Sequence, residues 1–207
     1  MSKIIFANKM QQQVLNSQAR LTVVTAEPGA GATYALLIKA VGECRESDKL
    51  VTLFVPTIAH AKAAGGAVQE LNKLVEGSAR YSDKSLIFTF NNGSKIKITP
   101  CQDINTTLGL ARDLMLFDAN IPDEFICFHL TRAYKSVVVD SIDNIEKEDS
   151  WANQLNLLVK EGGLIKGFVD GVEHITGSLD DNFFEGKETY RKYVTQAIPW
   201  RMRTSFN

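Results

Sequence analysis

The chain has 207 residues, which at about 150 residues per domain predicts one domain, 1–207, large enough to bury a core without disulfides or metal. A net charge of −1, with 44% hydrophobic and 23% charged residues, excludes a mostly disordered chain and a global basic field, so any nucleic-acid contact must come from a local patch. Cys44, Cys101 and Cys127 lack the spacing of a zinc site or a disulfide scaffold, the N-terminus does not read as a signal peptide, and no apolar run is long enough to predict a membrane span.

In chain order, residues 8–18 carry Met10, Val14 and Leu15 among glutamines and predict a short helix. Residues 21–26 are β-branched and apolar and predict a buried strand. A small-residue loop over 27–33 leads into a predicted helix over 34–41, and 50–55 predict a second strand, stopped by Pro56. Over 58–76, Ala61, Ala64, Val68, Leu71 and Val75 recur at helical spacing and predict one helix with a soft spot at Gly65-Gly66. Segments 86–90 and 95–99 flank Asn91-Asn92-Gly93-Ser94, which predicts a tight surface turn because Asn-Gly enters positive φ at low cost. Short strands are predicted at 114–117, before Asp118, and at 136–139, before Asp140. A helix around 150–160, an apolar stretch over 164–169, a Gly- and Asp-rich loop or β-excursion over 170–186 and an ambiguous segment over 190–200 complete the chain.

Strands alternating with helices predict an α/β fold, a largely parallel sheet flanked by helices, with the hairpin as an insertion. Strand 21–25 is expected in the centre, flanked by 114–117 and 136–139. Ligands in such folds bind at the carboxyl ends of the strands, so the 27–33 loop, Asp118 and Asp140-Ser141 are expected to cluster.

The phosphate-binding loop pattern, GxxxxGK followed by Ser or Thr between a strand and a helix, falls on Ala26-Glu27-Pro28-Gly29-Ala30-Gly31-Ala32-Thr33. Gly29, Ala30, Gly31 and Ala32 can turn backbone N–H groups toward a phosphate at the positive end of a helix, and the Thr33 hydroxyl is placed for Mg²⁺. Ala26 replaces the first glycine and Ala32 the lysine. The same glycines also suit an ordinary tight turn. Asp118 ends an apolar strand and is the candidate Mg²⁺ carboxylate, with Asp140 as its rival; a strand-end aspartate also serves as a helix cap. Ala119 stands where a water-orienting glutamate belongs.

Taken in order, the Gln11-Gln12-Gln13 run, the loop, Val55-Pro56-Thr57 before an alanine-rich helix, the Asn-Gly-Ser hairpin, Leu108-Gly109, Asp118 and Val139-Asp140-Ser141 resemble the large terminase subunit of tailed bacteriophages, in its N-terminal DNA-packaging ATPase domain. The resemblance implies a P-loop NTPase fold of the RecA-like, ASCE type, with ATP and Mg²⁺ as cofactors. It implies that Gln12 or Gln13 contacts adenine, that Thr33 and Asp118 hold Mg²⁺, that Ser141 couples the site to motion, and that Arg112 or Arg132 brings positive charge to a phosphate. Implied partners are duplex DNA, a capsid portal, a small terminase subunit and further copies in a ring, in the host cytoplasm. No nuclease domain fits in 207 residues.

The departures shape the functional expectation. With Ala32 for the lysine, Ala119 for the glutamate and Leu108 for the family's arginine, the chain is expected to bind nucleotide with weak or no hydrolysis. A catalytically dead nucleotide- or DNA-binding scaffold and a helicase-like RecA domain are the alternatives. His60, His129 and His174 share no ligand spacing and are expected in structural or surface roles. Asp123-Glu124 is expected in the first turn of a helix and Asp180-Asp181 in a loop or cap. Arg191, Lys192, Arg201 and Arg203 form either a solvated tail face or a contact patch for DNA or a subunit.

Overall fold

A computed structural model describes residues 7–102, 107, 112–130, 132–153 and 172–181. The elements in order are α1 (Lys9–Asn16), β1 (Leu21–Ala26), α2 (Ala32–Glu43), β2 (Leu50–Val55), α3 (Ile58–Lys62), α4 (Ala67–Leu74), β3 (Ala79–Ser82), β4 (Ile87–Phe90), β5 (Lys95–Pro100), β6 (Arg112–Phe117), α5 (Asp123–Leu130), β7 (Ala133–Asp140), α6 (Ile142–Ile145) and β8 (Val172–Gly177). Among the described residues the strands form one sheet in the order β3-β4-β5-β2-β6-β7-β1-β8. Only β3 with β4 and β4 with β5 pair antiparallel.

Both faces of the parallel part are buried, which is why its strands read as unbroken apolar runs rather than alternating ones. Successive residues of β2 and β6 point to opposite faces. Leu53, Leu114 and Leu116 join one core with Leu36, Leu37 and Ala40 of α2 and Leu71 of α4. Phe54, Met115 and Phe117 join the other, with Phe125, Ile126 and Leu130 of α5 and Trp151. The rings of Phe54 and Phe117 stack at 4.8 Å across the β2–β6 pair.

Several sequence expectations need correction. Residues 58–76 are two helices, because the chain breaks at Gly65, which adopts φ +74°. The neighbours of β1 are β7 and β8; the strand containing 114–117 lies one place further away, between β7 and β2. β8 falls inside the stretch read as a loop or β-excursion. It pairs parallel with β1 over its whole length, although His174 and Glu173 give it little apolar character. β3 was not foreseen. The Asn91–Ser94 turn is a hairpin with Gly93 at φ +88°, but Ser94 is buried rather than superficial. Asp123 and Glu124 begin α5 as expected. Leu108-Gly109, most of 150–160, 164–169 and the basic residues beyond 190 lie outside the described residues.

Candidate functional site

β1 delivers the loop to the carboxyl edge of the sheet. Glu27 anchors its start: its N–H donates to the Gly177 carbonyl at 3.0 Å, and its carboxylate accepts from Leu179 N–H at 2.7 Å and from the Ser178 hydroxyl at 3.0 Å. Gly29 and Gly31 adopt φ +84° and +87°, a region that strains any residue with a Cβ. Ala30 between them is fully buried. Two side chains of the first helical turn hold the loop's carbonyls: Asn8 Nδ2 donates to Ala30 O at 3.0 Å and Gln11 Nε2 to Gly31 O at 3.2 Å. The Ala30 N–H is bonded within the loop, to Glu27 O at 3.0 Å, so this amide is not turned outward as the sequence predicted. α2 starts at Ala32 with Gly31 as its cap and no side chain on its first turn. The first-turn N–H groups therefore present the donors and positive helix end that anions seek.

Asp118 follows β6 directly, and its N–H extends the ladder to Phe54 O at 3.1 Å. The Thr33 hydroxyl donates to Asp118 Oδ1 at 2.8 Å, joining residues 85 positions apart, and Ala119 N–H donates to the same oxygen at 2.9 Å. Oδ2 faces His60 Nε2 at 3.8 Å. The carboxyl is only 2% exposed. Burial pushes its pKa up, while the Thr33 hydroxyl, the Ala119 amide and His60 pull it back. A hydroxyl and a carboxylate side by side at a helix N-terminus are hard oxygen donors of the kind Mg²⁺ takes, and Mg²⁺ completes such sites with phosphate and water. Among the described residues no group of three His, Cys, Asp or Glu is placed to hold a metal.

The rival Asp140 is already engaged. Its Oδ2 accepts the Trp151 indole N–H at 2.7 Å and Asn144 Nδ2 at 2.9 Å, and its Oδ1 accepts Ser141 N–H at 2.7 Å. Ser141 is exposed and its hydroxyl accepts Asn144 N–H at 3.2 Å, one strand away from the loop. Gln12 is exposed and bonds Ala7 O. Gln13 lines a cavity of about 370 Å³ with Lys9, Glu27, His174 and Ser178, beside the start of the loop. Arg112 is not brought to this cluster: it starts β6 and Asp118 follows the strand's other end, roughly 20 Å away at about 3.3 Å per residue. Its Nε donates to Thr52 Oγ1 at 3.1 Å. Arg132 precedes β7 at that same amino edge and lies over the Phe128 ring.

Three contributors escaped the sequence reading. Asn8 and Gln11 form a reciprocal capping box on α1, and the Asn-x-x-Gln spacing was a legible signal for it. His60 had only its place just after a strand end to mark it.

No protein-family model and no curated protein matches the chain. Solved structures do. The large terminase of a thermophilic bacteriophage superposes with a TM-score of 0.70 at 15% identity, over 95% of this chain and 52% of that one. The same protein in complex with ADP gives 0.66 at 17% identity, over 94% and 51%. The large terminase ATPase domain of Thermus phage P74-26 gives 0.63 at 15% identity, over 97% and 92%.

This chain has the fold of a large terminase ATPase domain. At these identities the likeness is one of fold, a P-loop NTPase architecture, and the chain spans about half the length of the first terminase and nearly all of the isolated ATPase domain. In this chain β7 stands between the loop strand β1 and the Asp118 strand β6. Among the described residues no helix is long and apolar enough to cross a membrane.

Proposed function

We propose that this chain is a terminase-type P-loop domain that binds Mg²⁺-ATP and hydrolyses it weakly or not at all, serving the packaging of duplex viral DNA in the host cytoplasm. Its partners in this reading are the capsid portal, a small terminase subunit and further copies of itself in a ring. The observation that carries the nucleotide site is the 2.8 Å bond from the Thr33 hydroxyl to Asp118, which joins the loop to the strand-end carboxylate across 85 residues. The likeness to terminases solved with ADP and with ATP-gamma-S supports it.

The chain's own groups divide the work. Gly29, Gly31 and Ala32 bind phosphate through backbone N–H, the Ala30 N–H being held by Glu27 O, while Asn8 and Gln11 hold the loop in shape from behind. Gln13 and the cavity beside it, or Gln12, receive the base. Thr33 and Asp118 hold Mg²⁺, which when bound offsets the charge on the β and γ phosphates. Ser141 links the site to the segment beyond β7. What is missing is chemical: Ala32 offers no cation, and Ala119 no carboxylate to orient water. One such electrostatic group is worth about 3–4 kcal/mol of barrier.

Binding and turnover are therefore expected to separate. Fluorescence titration should show Mg²⁺-dependent binding of ATP analogues, and phosphate release should stay well below about 1 s⁻¹, with or without duplex DNA. Ala32→Lys combined with Ala119→Glu should raise turnover. Wild-type turnover at or above that rate, or no nucleotide binding, overturns the proposal.

A further inference from the structure

We infer that His60 supplies the side-chain donor for the terminal phosphate of a bound nucleoside triphosphate, standing in from α3 for the lysine that Ala32 replaces. The inference rests on the nucleotide site proposed above and names one more residue of it.

The strand order β1-β7-β6-β2 sets the loop, Asp118 and α3 in a row along the carboxyl edge. Asp118 Oδ1 is filled by Thr33 and Ala119, and Oδ2 turns toward His60. Asp118 ends β6, the strand next to β2, and α3 follows the end of β2, so His60 meets the site from the side away from the loop. The His60 backbone is held at both ends. Its N–H donates to Thr57 Oγ1 at 3.0 Å, its carbonyl accepts Ala63 N–H, and a Cβ on Gly66 would lie 2.7 Å from that carbonyl, so the start of α4 packs on it. The side chain is another matter: it is 57% exposed, and at 3.8 Å its Nε2 is beyond hydrogen-bond length from Asp118. A fixed backbone carrying a donor at the mouth of the site suits a ligand contact better than a structural one. The nearby cation on α3, Lys62, is paired with Asp83 at 2.7 Å. The imidazole carries an N–H in either charge state, so the contact needs no change of protonation.

The test compares Mg²⁺-dependent binding of fluorescent ADP and fluorescent β,γ-imido-ATP to the wild type, His60→Ala and His60→Gln, with thermal melts to confirm folding. His60→Ala should weaken the triphosphate analogue about tenfold, the scale of one hydrogen bond to a charged group, and leave ADP within about twofold. His60→Gln, which keeps a donor, should recover most of the loss. Equal weakening of both nucleotides, or no change in either, overturns the role of His60 while the nucleotide site stands. Failure of the wild type to bind either nucleotide removes the site itself, and this inference with it.

Discussion

At the amino edge of the sheet most polar groups are bonded within the fold, Ser136 Oγ being a buried exception; at the carboxyl edge, several are left for something else. Lys39 is 4% exposed, yet its ammonium donates to Leu15 O at 2.9 Å and Ser17 O at 2.6 Å, closing the end of α1. Asn92 donates to the carbonyls of Cys44 and Glu46, Ser94 bonds Glu46 O and Lys49 N–H, and Asp113 accepts Leu50 N–H. Arg112 is drawn into the same pattern through Thr52. At the other edge α2 begins without a side-chain cap, Asp118 is buried with one oxygen facing His60, and two glycines hold left-handed conformations that strain other residues. Burying a polar group costs free energy unless it is bonded, so the amino edge carries stability and the carboxyl edge gives some of it up. That is the pattern expected of a binding edge.

The largest effect should come from His129, in the last turn of α5, whose ring packs on Phe54 of β2. It is fully buried among Phe54, Phe125 and Phe128, with Thr107 on Nε2 and Arg132 nearby, and burial first and Arg132 second push its pKa down to about 4. The unfolded chain takes a proton near pH 6.5 and the native state does not. The stability is therefore complete above pH 6.5 and is lost as pH falls from there through about 4, a total of about 3 kcal/mol. Urea unfolding at pH 7.5 and pH 4.5 should show the loss, and His129→Leu should remove that part of the pH dependence. A variant as acid-sensitive as the wild type would break the argument.

Lys39→Met comes next. It strips two carbonyls of their partner and should cost about 2 kcal/mol, or about 4–8 °C in Tm. Nucleotide affinity should change little; a large loss would mean that the two edges are not separable.

The smallest stability effect has the opposite sign. Burial raises the pKa of Asp118, so its ionised form at neutral pH costs stability, and the cost grows as pH rises above the ordinary carboxyl range. Asp118→Asn should therefore raise stability by about 1 kcal/mol while abolishing Mg²⁺-dependent binding. A lower Tm for this variant would show that the carboxylate serves the fold rather than the site.

Much of this was legible before any coordinates. The β-branched runs at 21–26 and 50–55, the Asn-Gly turn and the glycine loop are local signals, and each produced its element. The loop, Asp118 and Asp140 could be set at one edge in advance because all follow strands of a parallel sheet, and the terminase resemblance put Asp118 ahead of Asp140. Other features were hidden. The 58–76 periodicity ran through Gly65-Gly66, where the chain's left-handed turn outweighs helical spacing. The segment over 170–186 was left open between a loop and a β-excursion because it has few apolar residues, and β8 is a strand because β1 offers it a ladder. Among three adjacent glutamines, Gln11 is the one bonded to the loop backbone, a matter of helix phase set by the Asn8 cap.

The sequence by itself determined which segments extend, where the chain turns, and that a phosphate-type loop lacks its lysine, since propensity, turn chemistry and residue identity act over a few positions. Only the tertiary structure decided the strand order, the engagement of Asp140 by Trp151, the distance of Arg112 from the loop and the approach of His60. These depend on which strand edges and faces meet, and that is settled by burying two cores at once rather than by any local preference.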